Sequence, residues 1–165
     1  MWISEEANVA EEHFVSATTR QLMSQLQQFV PKPAANGQTF LAAGVTGNRL
    51  DVGLHMLGDL FEADGWRVVQ LGADVPVTDL AQAVEFYAVD LAGLSVSQNS
   101  QLPALKQSVA AIRNGARSDR VKILIGGRAL GAASDLAAQL GADGYAADPI
   151  DALRLARRLT GLPAR

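Results

Sequence analysis

The sequence predicts an α/β fold: a flavodoxin-like (Rossmann-like) five-stranded parallel sheet, order 2-1-3-4-5, behind an N-terminal helical cap segment. Three observations predict it. Short apolar runs alternate five times with amphipathic stretches of helical period, the connections between them are short, and glycines punctuate the ends of the runs. Parallel strands joined this way need right-handed crossovers, which leaves few topologies.

Each element is read in order. Glu5 to Val30 has the helical pattern, with Val9, Phe14, Ala17, Leu22, Leu26 and Phe29 apolar among Gln, Glu and Arg. Residues 31–38, beginning Pro31-Lys32-Pro33, end that helix and form a linker. The chain therefore divides into a cap segment 1–30, the linker, and a domain 39–165. Thr39 to Val45 is a short apolar run, hence a buried strand. Asp51 to Asp64 is a helix with Val52, Met56, Leu57, Leu60 and Phe61 on one face, closed by Gly65. The following pairs are Trp66 to Leu71 with Thr78 to Ala88, Asp90 to Ser95 with Leu102 to Asn114, and Val121 to Ile125 with Ala129 to Leu140. A short strand Asp143 to Ala146 and a helix Pro149 to Leu159 complete the alternation.

Composition narrows the function. Hydrophobic residues make up 48% of the 165-residue chain, enough for a core, while aromatic content is only 5%, which suits close helix–sheet packing. The net charge of −3 and the lack of a basic tract argue against direct nucleic-acid binding. With Cys at 0, the chain has no thiolate ligand and no cysteine to attach a bilin. No apolar run reaches membrane-spanning length and the N-terminus is acidic, so the expected location is the cytoplasm.

In the predicted strand order, ligands bind beyond the C-terminal strand ends where strands 1 and 3 diverge. Three unusual loops meet there. In Gly44-Val45-Thr46-Gly47-Asn48-Arg49-Leu50-Asp51-Val52-Gly53, the glycines let a ligand approach backbone, and a helix starting near Asp51 directs free N–H groups to the same place. The loop has neither the G-x-G-x-x-G spacing of a dinucleotide site nor the Gly-Lys-Ser/Thr of a P-loop. A tight strand-to-helix turn accounts for it equally. Ser95-Val96-Ser97-Gln98-Asn99-Ser100-Gln101 offers hydroxyls and amides to a polar ligand, or serves as a solvated loop before the next helix. Gly126-Gly127 opens the end of strand 4 to a flat group, where one glycine would suffice for a turn.

Taken together, Thr39 to Leu159 resembles the cobalamin-binding domain of methionine synthase, the mutases and light-sensing transcription factors. That family's D-x-H-x-x-G, S-x-L and G-G signatures read here as Asn48-Arg49-Leu50-Asp51-Val52-Gly53, Ser95-Val96-Ser97 and Gly126-Gly127. Leu71-Gly72-Ala73-Asp74-Val75-Pro76 and Gly141 to Asp148, with Tyr145 inside, match further. Upstream, Trp2, nine residues and then Glu12-His13 match the W-x9-E-H cap of light-sensing proteins similar to the CarH repressors and of photocobilins, which carry both cobalamin and biliverdin. The resemblance implies cobalamin, as adenosylcobalamin, held by Trp2, Glu12, His13, Gly47, Asn48, Arg49, Leu50, Asp51, Val52, Gly53, Ser95, Ser97, Gly126, Gly127 and Tyr145. Trp2 and His13 would share one face if a single helix joined them, since their separation is about three turns.

The chain departs from that pattern at its centre. The family's aspartate and ligand histidine are Asn48 and Leu50, so the protein offers no metal ligand there. Three outcomes are open: cobalamin with its own benzimidazole still ligated, another group such as biliverdin in the space beneath the ring, or lost binding. His55, one turn further, is a substitute haem ligand or a surface residue. The position after Trp2, a histidine in many light-sensing relatives, is Ile3. The family's cap is a four-helix bundle of which only the last part is present, which implies self-association or completion by another chain. The leading expectation is a non-enzymatic, light-sensing cobalamin module. The alternatives are a cobalamin carrier for a methyltransferase or mutase, and a cofactor-free interaction domain.

Overall fold

The computed structural model describes residues 8–30, 33–131 and 134–163. The chain divides into two compact units, Met1–Pro31 and Lys32–Arg165. In the first, α1 spans Val9–Leu26 and passes into a 3-10 turn at Gln27–Phe29. Asn8 starts α1 through a capping box: its Oδ1 accepts from Glu11 N at 3.0 Å, and Glu11 Oε2 accepts from Asn8 N at 2.7 Å. Asn8 is itself extended (φ −94°, ψ 171°), so one continuous helix from Trp2 to His13 is not formed. The helix expected from Glu5 begins instead at Val9, because the Asn8 side chain satisfies the first-turn N–H groups. Trp2, Ile3 and residues 5–7 lie outside the described residues.

The second unit is a five-stranded parallel sheet in the order β2-β1-β3-β4-β5. Its strands are β1 Thr39–Val45, β2 Arg67–Val75, β3 Leu91–Ser95, β4 Lys122–Gly126 and β5 Gly144–Ala146. The helices are α2 Val52–Ala63, α3 Val77–Phe86, α4 Leu102–Arg113, α5 Ser134–Leu140 and α6 Pro149–Leu159. The order is the one the sequence predicts. Alternate residues of β1 serve opposite faces. Leu41, Ala43 and Val45 join the core beneath α3, α4 and α5, with Leu80, Val84, Leu105, Val109 and Ile112. Phe40 and Ala42 join the core beneath α2 and α6, with Leu54, Phe61, Ala152 and Ala156. Both faces are covered, so β1 is buried along its whole length.

Three elements differ from the sequence reading. The second strand runs to Val75 rather than Leu71. Gly72 (φ +80°) does not break it but absorbs a register shift, with another before Val75. The fourth helix, expected over Ala129 to Leu140, is a 3-10 turn Arg128–Leu130 followed by α5 from Ser134. Gly131 (φ +51°, ψ −134°) separates them in a conformation no helix accommodates. On α2 the buried side is Leu54, Gly58 and Phe61, while Met56 is exposed; a wheel spread over Val52, Met56 and Leu60 points too far toward solvent.

A buried ion pair ties the helix ends together away from the rim. The Arg157 guanidinium on α6 donates to Asp64, the residue that closes α2, and also to the Pro163 carbonyl at 2.7 Å. Asp64 Oδ2 accepts in addition from Trp66 Nε1 at 3.2 Å. Trp66 packs edge-on to Phe61, with ring centroids 5.2 Å apart, and Phe61 stacks on Phe40 at 3.8 Å. Asp64 and Arg157 are 7% and 8% exposed, so loss of either leaves the other nearly dry. Arg157→Met should lower the unfolding free energy by about 3 kcal/mol, measured by urea denaturation, with little change in the sheet's circular dichroism before the transition.

Candidate functional site

The rim at the C-terminal strand ends is built around a buried asparagine. Asn48, on the loop leaving β1, is 0% exposed. Its Nδ2 donates to the Ser95 carbonyl at 2.9 Å and lies 3.4 Å from Ser95 Oγ. Its Oδ1 accepts from Ser97 Oγ at 2.9 Å and from Leu50 N at 3.2 Å. One amide thus fastens the β1 loop to the β3 loop where the two strands diverge. Gln101 adds a second clasp. Its Nε2 donates to the Gly47 carbonyl at 2.9 Å, and its Oε1 accepts from Ser97 N at 2.9 Å and Gln98 N at 3.1 Å. Asp74, at φ +54°, supplies a third from the end of β2. Its Oδ1 accepts from Gly47 N at 2.6 Å, and its backbone N donates to Asn48 O at 2.8 Å.

In the polar loop after β3, Ser97 and Gln101 hold the loop and the neighbouring turn together with Asn48. Gln98, Asn99 and Ser100 remain exposed.

Gly127 explains the paired glycines. At φ +111° it lies so close to β3 that a Cβ would come within 2.2 Å of the Val96 carbonyl oxygen. The second glycine is required by the protein's own backbone, whatever a ligand requires.

Beside the rim a cavity of about 220 Å³ opens between α2 and α6. Gly53, Leu54 and Leu57 form one wall, and Ala146, Ala147, Asp148, Pro149 and Ala152 the other. Ser95, Gly126 and Gly127 line it from the strand ends, and Phe40 and Phe61 reach it from below. Gly93 belongs to the same wall, and a Cβ there would meet the Phe40 ring at 2.8 Å. The slot is therefore apolar, small-residue-walled and floored by stacked rings. The carboxylate of Asp148 is turned to its own helix, where Oδ1 accepts from Asp151 N at 2.8 Å. Sequence reasoning missed Phe40, Gly93 and Ala152, because a void shared by three distant segments leaves no local pattern.

Of the residues singled out from sequence, Gly53, Ser95, Gly126 and Gly127 line the slot. Gly47, Asn48, Arg49, Leu50, Asp51, Val52 and Ser97 form the adjoining loops. Leu50 is 51% exposed, with its side chain free of the core. Tyr145 is elsewhere: it packs with the core on the opposite sheet face and its hydroxyl donates to the Gly131 carbonyl. His55 does not line the slot; its Nε2 is 3.7 Å from Asp51 Oδ2. On α1, Glu12 Oε1 accepts from Ser16 Oγ at 2.7 Å, and His13 Nε2 is 3.7 Å from Glu12 Oε2. Trp2 lies outside the described residues. Among the described residues there is no cluster of three or more His, Cys, Asp or Glu suited to a metal ion, and no helix long and apolar enough to cross a membrane.

Asn48 cannot be exchanged for its carboxylate homologue at no cost. Asn48→Asp replaces the Nδ2 donor with an oxygen 2.9 Å from the Ser95 carbonyl oxygen. We expect a loss of about 1–3 kcal/mol in urea denaturation, with an open, protease-sensitive rim, whereas Asn99→Asp leaves both unchanged.

Comparison with known proteins places this geometry. Residues 39–154 match the model of the B12 binding domain. The chain is 26% identical over 136 residues to a dimethylamine corrinoid protein of Methanosarcina mazei, covering 81% of this chain and 80% of that protein. It spans 53% and 63% of the length of two further corrinoid relatives, from Desulfitobacterium hafniense and Methanosarcina acetivorans. Over 88 residues it is 38% identical to the HTH-type transcriptional repressor CarA of Myxococcus xanthus, covering 53% of this chain and 30% of the repressor. The solved monomethylamine corrinoid protein of Methanosarcina barkeri has the same fold, with a TM-score of 0.77 at 18% identity over 94% of this chain and 74% of that one. The five-stranded order and the match over residues 39–154 agree, and the chain belongs to the B12-binding domain family.

Proposed function

We propose that the chain is a light-sensing, cobalamin-binding regulatory domain with no catalysis of its own, acting in the cytoplasm. The observation that carries this reading is the pairing of an intact rim with Leu50. The clasped loops, Gly126-Gly127 and the apolar slot suit a large flat cofactor and its tail. The residue placed for the metal, however, is an exposed hydrocarbon that cannot donate an electron pair. Residues that would hold the group are the backbone of Gly53, Gly126 and Gly127 and the walls of the slot, with Leu50 on the adjoining loop. The resemblance of the N-terminus makes Trp2, Glu12 and His13 further candidates to hold the group.

When bound as adenosylcobalamin, the cofactor supplies a photolabile cobalt–carbon bond. The chain's part is to hold the corrinoid and to register loss of the upper group. Contacts of Trp2 and His13 made only in the dark state would bias helix packing between two arrangements, since only such differential contacts can shift an equilibrium. An apolar Leu50 also makes biliverdin a candidate second chromophore, as in photocobilins.

A second reading is a corrinoid carrier serving a methyltransferase. The similarity to dimethylamine corrinoid proteins favours it. Loss of a ligating side chain at Leu50 and the Glu12-His13 pair favour the sensor.

Absorption spectra separate them. Protein purified in the dark with adenosylcobalamin should retain cobalamin bands that change on illumination, together with a change in elution volume. A red band after biliverdin addition identifies a two-chromophore sensor. Retained cobalamin with identical light and dark elution would favour the carrier, and a colourless protein would overturn both readings.

A further inference from the structure

We infer that the outer face of α2 and α6 is an interface between two copies of this chain, docked about a two-fold axis that runs along the groove between the helices. This concerns the sheet domain alone and goes beyond the cofactor reading above.

The groove is apolar where a partner would sit. Gly53 and Leu57 of α2 and Pro149 and Ala152 of α6 line one slot, so these flanks of the two helices face each other. On the outer side, Met56 of α2 is 54% exposed and Ile150 of α6 is 58% exposed. Leu60 and Leu153 are half-buried on the same helices. Large apolar side chains on both banks of one groove are surface that a partner can remove from water.

The charges beside the groove select the partner. α2 carries Asp59 and Glu62 and no Lys or Arg. α6 carries Arg154, Arg157 and Arg158 against one acid, Asp151. Arg157 is buried on Asp64, so the outward basic charge belongs to Arg154, whose side chain is 72% exposed, and to exposed Arg158. At about 100° per residue, Asp59 and Glu62 are turned roughly 140–160° from Leu57, and Arg154 and Arg158 roughly 100–140° from Leu153. The surface therefore runs from an acidic bank, across an apolar groove, to a basic bank. Two such surfaces attract each other in one symmetric relation. A two-fold axis across the groove sets like charges opposite. An axis along it sets the acidic bank of each copy on the basic bank of the other.

The heights match as well. Gly53 and Pro149 share the slot, and Glu62 and Arg158 each follow nine residues further along their helices. Rotation about an axis along the groove preserves height, so Glu62 of one copy meets Arg158 of its partner, twice per dimer. The size of the face sets the strength. Helices of 12 and 11 residues are about 17 Å long and lie about 10 Å apart, a patch smaller than a standard interface. Ion pairs this exposed add little affinity and mainly fix orientation. A reversible dimer, half formed at about 10–100 µM, follows.

The test is sedimentation equilibrium of the full chain, in the dark and without cofactor, from about 5 to 500 µM. We expect a monomer–dimer equilibrium that weakens in about 1 M salt. Met56→Lys and Ile150→Glu, both at exposed positions, should each weaken it about tenfold. Arg158→Glu alone and Glu62→Arg alone should each weaken it about fivefold, and the two together should restore it. Circular dichroism checks that each variant is folded. A monomer throughout the range overturns the inference. So does a dimer indifferent to Met56→Lys and Arg158→Glu; if Leu22→Glu abolishes that dimer, the contact lies on the exposed apolar side of α1 instead. Failure of the double exchange to restore association overturns the axis along the groove.

Discussion

The site depends on one buried amide. Asn48 lies where β1 and β3 part, and its four polar contacts reach the Ser95 carbonyl, two serine hydroxyls and a backbone N–H. Parallel strands diverging at a switch point leave backbone ends that nothing in the sheet can satisfy. Asn48 satisfies them from the side, and Gln101 and Asp74 complete the task for Gly47. The rim therefore has a shape before any ligand arrives. A site assembled this way loses little conformational freedom on binding.

The same arrangement explains how an apolar residue is tolerated at Leu50. Leu50 contributes only its N–H to the clasp, so its side chain bears no part of the loop's stability and stands half exposed.

Much of the fold was legible because it is periodic. β1, α4 and α6 fall within a residue of their predicted limits, since each is a run of one hydrophobic pattern bounded by glycine, proline or a cap. The reading failed where a glycine served two purposes. Gly72 looks like a strand end and is a register shift, while Gly131 is hidden inside a run that looks helical and divides it. The rim loops were visible from their glycines and polar residues, but their roles were not. Ser97 and Gln101 clasp the loops together, a role hidden in the sequence because their hydrogen-bond partners lie 49 and 54 residues away. Tyr145 was drawn in by a matching stretch, and strand alternation then turns it to the other face. The slot depends on Phe40, Gly93 and Ala152 meeting in space, which only the folded chain displays.

The irregular end of β2 has a consequence for how copies of this domain meet. β2 is an edge of the sheet, with one side carrying unpaired backbone groups of the kind that recruit a neighbouring strand. Its regular pairing to β1 stops at Gln70; beyond it Gly72 and Asp74 take left-handed backbone angles, and Asp74 turns inward to the Asn48 loop. An incoming strand would find only the four residues Arg67 to Gln70 in regular register before the left-handed angles at Gly72 and Asp74 interrupt the ladder. The irregularity that seats Asp74 at the rim thereby also shields the domain from sheet-to-sheet polymerisation.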